Sequence, residues 1–129
     1  MGQSLDAHVG YGFLMDRHIE LDELPEIFKV RFTPEQVAEM TYSEVDDLSG
    51  NDYIEAFIKA EFSTLDLGYP GNEYCEEMIV FIERTEHSAY YAAEPLNLQE
   101  HTDEERNQMA VFASLLDKEA QWMFWPTHG

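Results

Sequence analysis

An α+β fold is what this sequence predicts: one small domain, with a mixed or antiparallel sheet of about four strands packed by two or three helices. Three observations carry that expectation. Stretches of apolar residues alternating at a period of two occur near both ends and in the middle of the chain. Two Thr-led capping boxes each open a run with helical spacing. Finally, 129 residues with 44% hydrophobic and 13% aromatic content suit one core, with no repeat, low-complexity tract or linker to divide it.

The first strand is LDAHVGYGFL, residues 5–14, with Leu5, Ala7, Val9, Tyr11 and Phe13 on one face. Gly10 and Gly12 fall on the other face, where missing side chains let a neighbouring element approach closely. MDRHIELDELPE reads as an acidic loop, and IFKVRF as a short second strand aligning Phe28, Val30 and Phe32. Thr33-Pro34-Glu35-Gln36 is a helix start: Thr33 caps, Pro34 occupies the first helical position and Gln36 completes the box. Val37, Met40, Glu44, Val45 and Leu48 continue at helical spacing, with a break near 41–43. After Ser49-Gly50, Asn51 is placed to cap a further helix whose Ile54, Phe57, Ile58 and Phe62 face inward.

LGYPGNEY, 67–74, has turn chemistry at Pro70-Gly71-Asn72. EMIVFIER, 77–84, is apolar on both faces and reads as a central strand, and SAYYAAEPLNL, 88–98, as another. Thr102 and Glu105 form the second capping box, opening a helix that carries Met109, Phe112, Leu115 and Leu116 to about residue 120. The apolar QWMFWPTHG closes the chain as a short strand.

Charge is the outlier. Against 27 acids stand 7 bases, for a formal charge of −20 and a pI near 4.2. Residues 41–90 hold 12 of those acids and 2 bases, which is half the excess. EVDDLSGNDYIEAF, 44–57, has five carboxylates and neither Lys nor Arg. Self-repulsion on this scale works against a compact state. Direct nucleic-acid binding is excluded in practice, because phosphates are neutralised by Lys and Arg. Adaptation to high salt fits poorly, since Glu outnumbers Asp 18 to 9 and large aromatics are plentiful. A solvated surface or an acidic face for a basic partner remains.

Catalytic signatures are missing. His8, His18, His87, His101 and His128 are scattered without HExxH or paired-Cys spacing, so neither a metal nor another cofactor is expected. Glu83 and His87 straddle a strand end, and DDLSGNDYIEAF lacks the calcium-loop order. Ser88 has no nucleophile elbow, and glutamates beside Cys75 raise its thiol pKa. With 27 acids, any fold brings two carboxylates together, so acid–base pairs carry no information. A non-enzymatic protein is expected. The single Cys fits a reducing compartment. No apolar run reaches membrane-span length and the N-terminus has neither signal-peptide layout nor a myristoylation match at Asp6, so a cytoplasmic location is expected.

Magnitudes bear on whether the acids imitate DNA. A chain of 15.0 kDa exposes about 7,000 Å², or roughly one net charge per 350 Å² if spread evenly. Duplex DNA carries one charge per about 1.7 Å of axis, on the order of one per 100 Å² of its surface. Matching it requires gathering the acids on about a third of the protein surface. Twenty charges occupy roughly 34 Å of duplex, close to the ~36 Å breadth of a domain this size. The expected face comprises Glu44, Asp46, Asp47, Asp52, Glu55 and Glu61, joined by Asp66, Glu73, Glu76 and Glu77.

The opening G-x-x-L-D-A-x-V-x-Y-G (Gly2 to Gly12), the LGYPGNEY turn followed by MIVFIER, and the aromatic tail together resemble small uncharacterised acidic proteins of tailed bacteriophages, across most of the chain. Those proteins have no agreed activity, so no catalytic residue carries over. The resemblance implies a phage product acting inside a bacterial host, a setting in which short acidic proteins often inhibit restriction, CRISPR or other DNA-binding machinery. The expected function is thus a DNA-mimic-like inhibitor of a host or defence protein with a basic nucleic-acid-binding surface. Two rivals stand beside it: a phage assembly accessory that oligomerises through its apolar tail, and a small-ligand-binding counter-defence protein using Tyr and His residues.

Overall fold

The computed structural model describes residues 5–69, 77–88 and 100–128. Within them, strands β1 (Leu5–Asp16), β2 (Asp66–Gly68), β3 (Glu77–Ser88) and β4 (Gln121–His128) form one antiparallel sheet ordered β2-β3-β1-β4. Helices α1 (Glu26–Val30), α2 (Pro34–Thr41), α3 (Gly50–Glu61) and α4 (Asp103–Leu116) complete a small α+β domain. The expected class holds, with four helices among the described residues where two or three were anticipated.

Pairing puts Phe13 opposite Val80, Met15 opposite Met78 and Tyr11 opposite Ile82, so the inward positions of β1 and β3 share one face. Helix side chains close over it as an interlocked set of rings. Phe112 of α4 meets Phe13 at 5.5 Å between centroids, Phe28 of α1 meets Phe57 of α3 at 5.0 Å, and Phe62 meets Phe112 at 5.2 Å. Each fully buried ring contributes about 1.5–3 kcal/mol by leaving water, with about 0.5–1.5 kcal/mol more per well-oriented pair.

On the opposite face the two glycines act as expected. A Cβ at Gly12 would lie 2.0 Å from the Val80 carbonyl oxygen, and one at Gly10 would lie 2.8 Å from Cη2 of Trp125. Their bareness lets β1 lie tight against β3 and lets Trp125 cover Gly10. There Trp125, itself buried, meets Phe81 edge-on at 4.9 Å and stacks on His8 at 5.5 Å, both half-buried, forming a cluster separate from the helix-side core.

IFKVRF is not a strand: residues 27–30 are helical, and Arg31 and Phe32 follow as a bend. Following Pro25, a single helical turn buries Phe28 completely and leaves Val30 65% exposed, so the apparent alternation of Phe28, Val30 and Phe32 does not define one face. α2 begins as expected, with Thr33 Oγ1 accepting from the Gln36 N–H at 3.2 Å and Gln36 Oε1 from the Thr33 N–H at 2.9 Å. It stops at Tyr42, which adopts the left-handed conformation (φ 55°); Val45 and Leu48 therefore do not extend it, and Val45–Asp47 forms a separate 3-10 turn. Ser49, not Asn51, is the residue before α3: the Asp52 carboxylate accepts from the Ser49 N–H at 2.9 Å and its hydroxyl at 3.2 Å. Ile54, Phe57, Ile58 and Phe62 are buried as expected.

EMIVFIER belongs to an interior strand, flanked by β1 and β2. Thr102 and Glu105 form their reciprocal cap, and QWMFWPTH forms β4. α4 ends earlier than expected because Asp117 turns left-handed (φ 54°). The expected strand at 88–98 lies outside the described residues after Ser88, as does the 70–74 part of the predicted turn. No helix among the described residues is long and apolar enough to cross a membrane.

Candidate acidic interface

Asn51 organises the acidic end of the molecule. Only 5% exposed, it accepts from the Ile19 N–H at 2.8 Å and donates to the Asp16 carbonyl at 2.9 Å and to Met78 Sδ at 3.3 Å. Next to it the Gly50 N–H donates to the Ile19 carbonyl at 2.8 Å. The chain leaving β1 is thereby fastened to the first turn of α3. Two acidic segments distant in sequence are in this way brought towards one another: the one holding Glu20, Asp22 and Glu23, and the one holding Glu44, Asp46 and Asp47 that leads into Leu48 and Ser49. A hollow of about 490 Å³ lies between them, shared by His18, Glu20, Asp22 and the Leu48-Ser49 pair that follows the second segment.

All six of those carboxylates are exposed, and none enters an ion pair among the described residues. Asp16 and Glu77, also exposed, face each other across β1 and β3 at the same end of the sheet. Like charges opposite one another in a sheet are unfavourable. Here they extend the acidic end past Met78, the residue Asn51 touches. α3 points its N-terminus into this cluster, and the partial positive charge there favours the adjoining carboxylates.

The remaining expected residues divide. Asp52 is half-buried and engaged with Ser49. Glu55 is half-buried as well; burial pushes its carboxyl pKa above the ordinary value, Lys59 opposes this and Asp52 adds to it. Burial likewise raises the Tyr69 hydroxyl, with Glu55 adding, Arg17 opposing and Asp52 adding, and the Arg17 guanidinium lies 4.6 Å from the Tyr69 ring centre. Glu61 is neutralised by Arg31. It lies ten residues along α3 from Asn51, about 15 Å at the helical rise.

Asp66 begins β2 opposite Phe81, four residues along β3 from Glu77, or roughly 13 Å away. Glu73 and Glu76 lie outside the described residues. Of the expected residues, Asp52 thus lies in the first turn of α3 next to Asn51 and Glu77 next to Met78, Glu55 is half-buried on α3, Glu61 and Asp66 are farther away, and Glu44, Asp46 and Asp47 lie on the turn that leads into Leu48 and Ser49. By its composition the stretch around residue 20 is an acidic loop; the Ile19 contacts, between residues far apart in sequence, set it beside residues 49–51.

The chain exposes 8310 Å², about one net charge per 400 Å² on average, so any DNA-like density must come from local gathering of this kind. The carboxylates are spread across a surface. Among the described residues, no group of three or more His, Cys, Asp or Glu side chains is placed to hold a metal ion. Comparison with family models, curated proteins and solved structures gave no match.

Proposed function

We propose that this chain is a non-enzymatic acidic inhibitor, of the phage-encoded kind its sequence resembles, that binds the basic nucleic-acid-binding surface of a host or defence protein. One observation supports the reading: six exposed carboxylates lie on two segments that are tied to one another through Ile19, Gly50 and Asn51, and none of the six enters an ion pair among the described residues. A face of one sign accelerates encounter with an oppositely charged partner and occupies the channel where phosphates would bind. Its hold weakens with salt, since surface charges are screened over about 8–10 Å at physiological ionic strength.

The test immobilises the full chain and captures partners from bacterial lysate at two salt concentrations, with and without competing duplex DNA. The expected result is a nucleic-acid-binding protein released by DNA and by salt, and lost when Glu44, Asp46 and Asp47 are all changed to Lys. Capture that ignores DNA, salt and the triple reversal would overturn the proposal.

A further inference from the structure

Away from the acidic end, α4, the sheet and β4 enclose a cleft of about 690 Å³. That volume is within the range of small-molecule sites, which are mostly apolar with a few placed polar groups. Three rings form its aromatic wall. His101 stacks on Trp122 at 5.8 Å with an interplanar angle of 18°, and Tyr11 approaches both, at 5.1 Å from His101 and 5.2 Å from Trp122. Trp122 is 51% exposed although its ring faces this cleft, so a large aromatic surface is available for stacking.

Charge in the cleft differs from that of the rest of the protein. Arg106 and Lys118 line it together with Glu105 and Glu119, so two of the chain's 7 bases balance two carboxylates. Arg106 is committed to the His101 carbonyl at 2.8 Å and to the Asp103 carboxylate. Among the described residues Lys118 donates to the Leu14 carbonyl at 3.5 Å, and Glu119 makes no ion pair. Lys118 and Glu119 follow the left-handed Asp117 and both line the cleft, one a donor and the other an acceptor. A charged ligand of either sign would meet a like charge. An uncharged planar ring with a donor and an acceptor on its edge would satisfy both.

We infer that this cleft binds an uncharged planar heteroaromatic molecule of nucleoside size, its ring stacked on the exposed face of Trp122 and its edge hydrogen-bonded by Lys118 and Glu119. None of the residues that line the cleft belongs to the acidic segments 20–23 and 44–47. Base-on-aromatic stacking tolerates any base, so the geometry selects the class rather than one member.

The experiment titrates the ¹⁵N-labelled full chain with adenosine, cytidine, adenosine monophosphate and N-acetyl-phenylalaninamide, following the Trp122 indole N–H. Saturable movement with a nucleoside, at a dissociation constant of about 1 mM or below, supports the site. Ala110→Phe fills the cleft from an exposed position on α4 and should weaken binding about tenfold or more. Trp122→Ala, followed through the Ala113 amide, should weaken it about 5- to 150-fold. The monophosphate should bind about tenfold more weakly than adenosine at low salt. Changing Glu44, Asp46 and Asp47 to Lys should leave nucleoside affinity unchanged, which separates this site from the acidic one. No saturable shift with either nucleoside overturns the inference, as does binding that neither variant weakens. A response to the acetylated amide alone overturns the nucleoside assignment.

Discussion

The end of the molecule around Asn51 and the cleft under α4 use charge in opposite ways. At the acidic end, carboxylates of one sign crowd together while the parts that fix the backbone are neutral: an amide side chain, two peptide N–H groups and a thioether. In the cleft, charges of both signs balance and the fixed parts are rings. The difference separates what holds this fold from what its surface displays. Removing acids from the first region should relieve repulsion without loosening the scaffold, whereas removing its one buried amide should loosen the scaffold and leave the charge in place.

The largest effect should come from Gly12→Ala, which strikes the sheet beneath both regions. A methyl 2.0 Å from the Val80 carbonyl forces β1 away from β3, and a loss of about 3 kcal/mol or more is expected by urea denaturation. Next, the Glu44, Asp46 and Asp47 reversal should cost on the order of 100-fold or more in affinity for a basic partner at low salt, measured by calorimetry. Far-UV circular dichroism should be unchanged, and a lost fold would show that these acids are structural after all. Asn51→Ala strands the Ile19 N–H and the Asp16 carbonyl; a loss of about 2–3 kcal/mol is expected, with faster hydrogen exchange at Ile19.

Glu55→Gln should have the smallest effect, at most about 0.5 kcal/mol. Because burial raises the Glu55 pKa in the folded state, the unfolded chain releases that proton first as pH rises. Stability is full below the ordinary carboxylate value and is lost as pH rises through the raised one. The Gln variant should therefore melt slightly higher than the parent at pH 7 and at the same temperature at pH 3.5. Equal melting at both values would contradict the raised pKa.

Local signals were legible where a few adjacent residues decide the outcome. Thr33 with Gln36, and Thr102 with Glu105, each announce a helix start because both halves of the cap lie within one turn. EMIVFIER disclosed its interior place because both faces are apolar. The misreadings come from elements too short to show their period, or from partners far along the chain. Five residues of α1 fit either period, and only the shell of Phe57 and Phe112 around Phe28 decides it. Asn51 has the composition of a cap, yet its partners are Ile19, Asp16 and Met78, which no local pattern can reveal. The acidic stretch 44–52 was visible as composition; that residues 20–23 lie beside it was not.

The pairing of β1 with β4 sets the order in which this protein can be completed. Leu5 lies opposite His128, so strands from opposite ends of the described chain are neighbours in the sheet. A contact so distant in sequence has a large loop-closure entropy and slows folding. While the chain is being synthesised, β1 emerges first and waits for β3, and its other edge waits for β4. During that interval the strand presents backbone donors and acceptors able to pair with another chain. Crowded, slow expression should therefore favour aggregation over folding, and β4 works as the latch that ends the exposure of this edge.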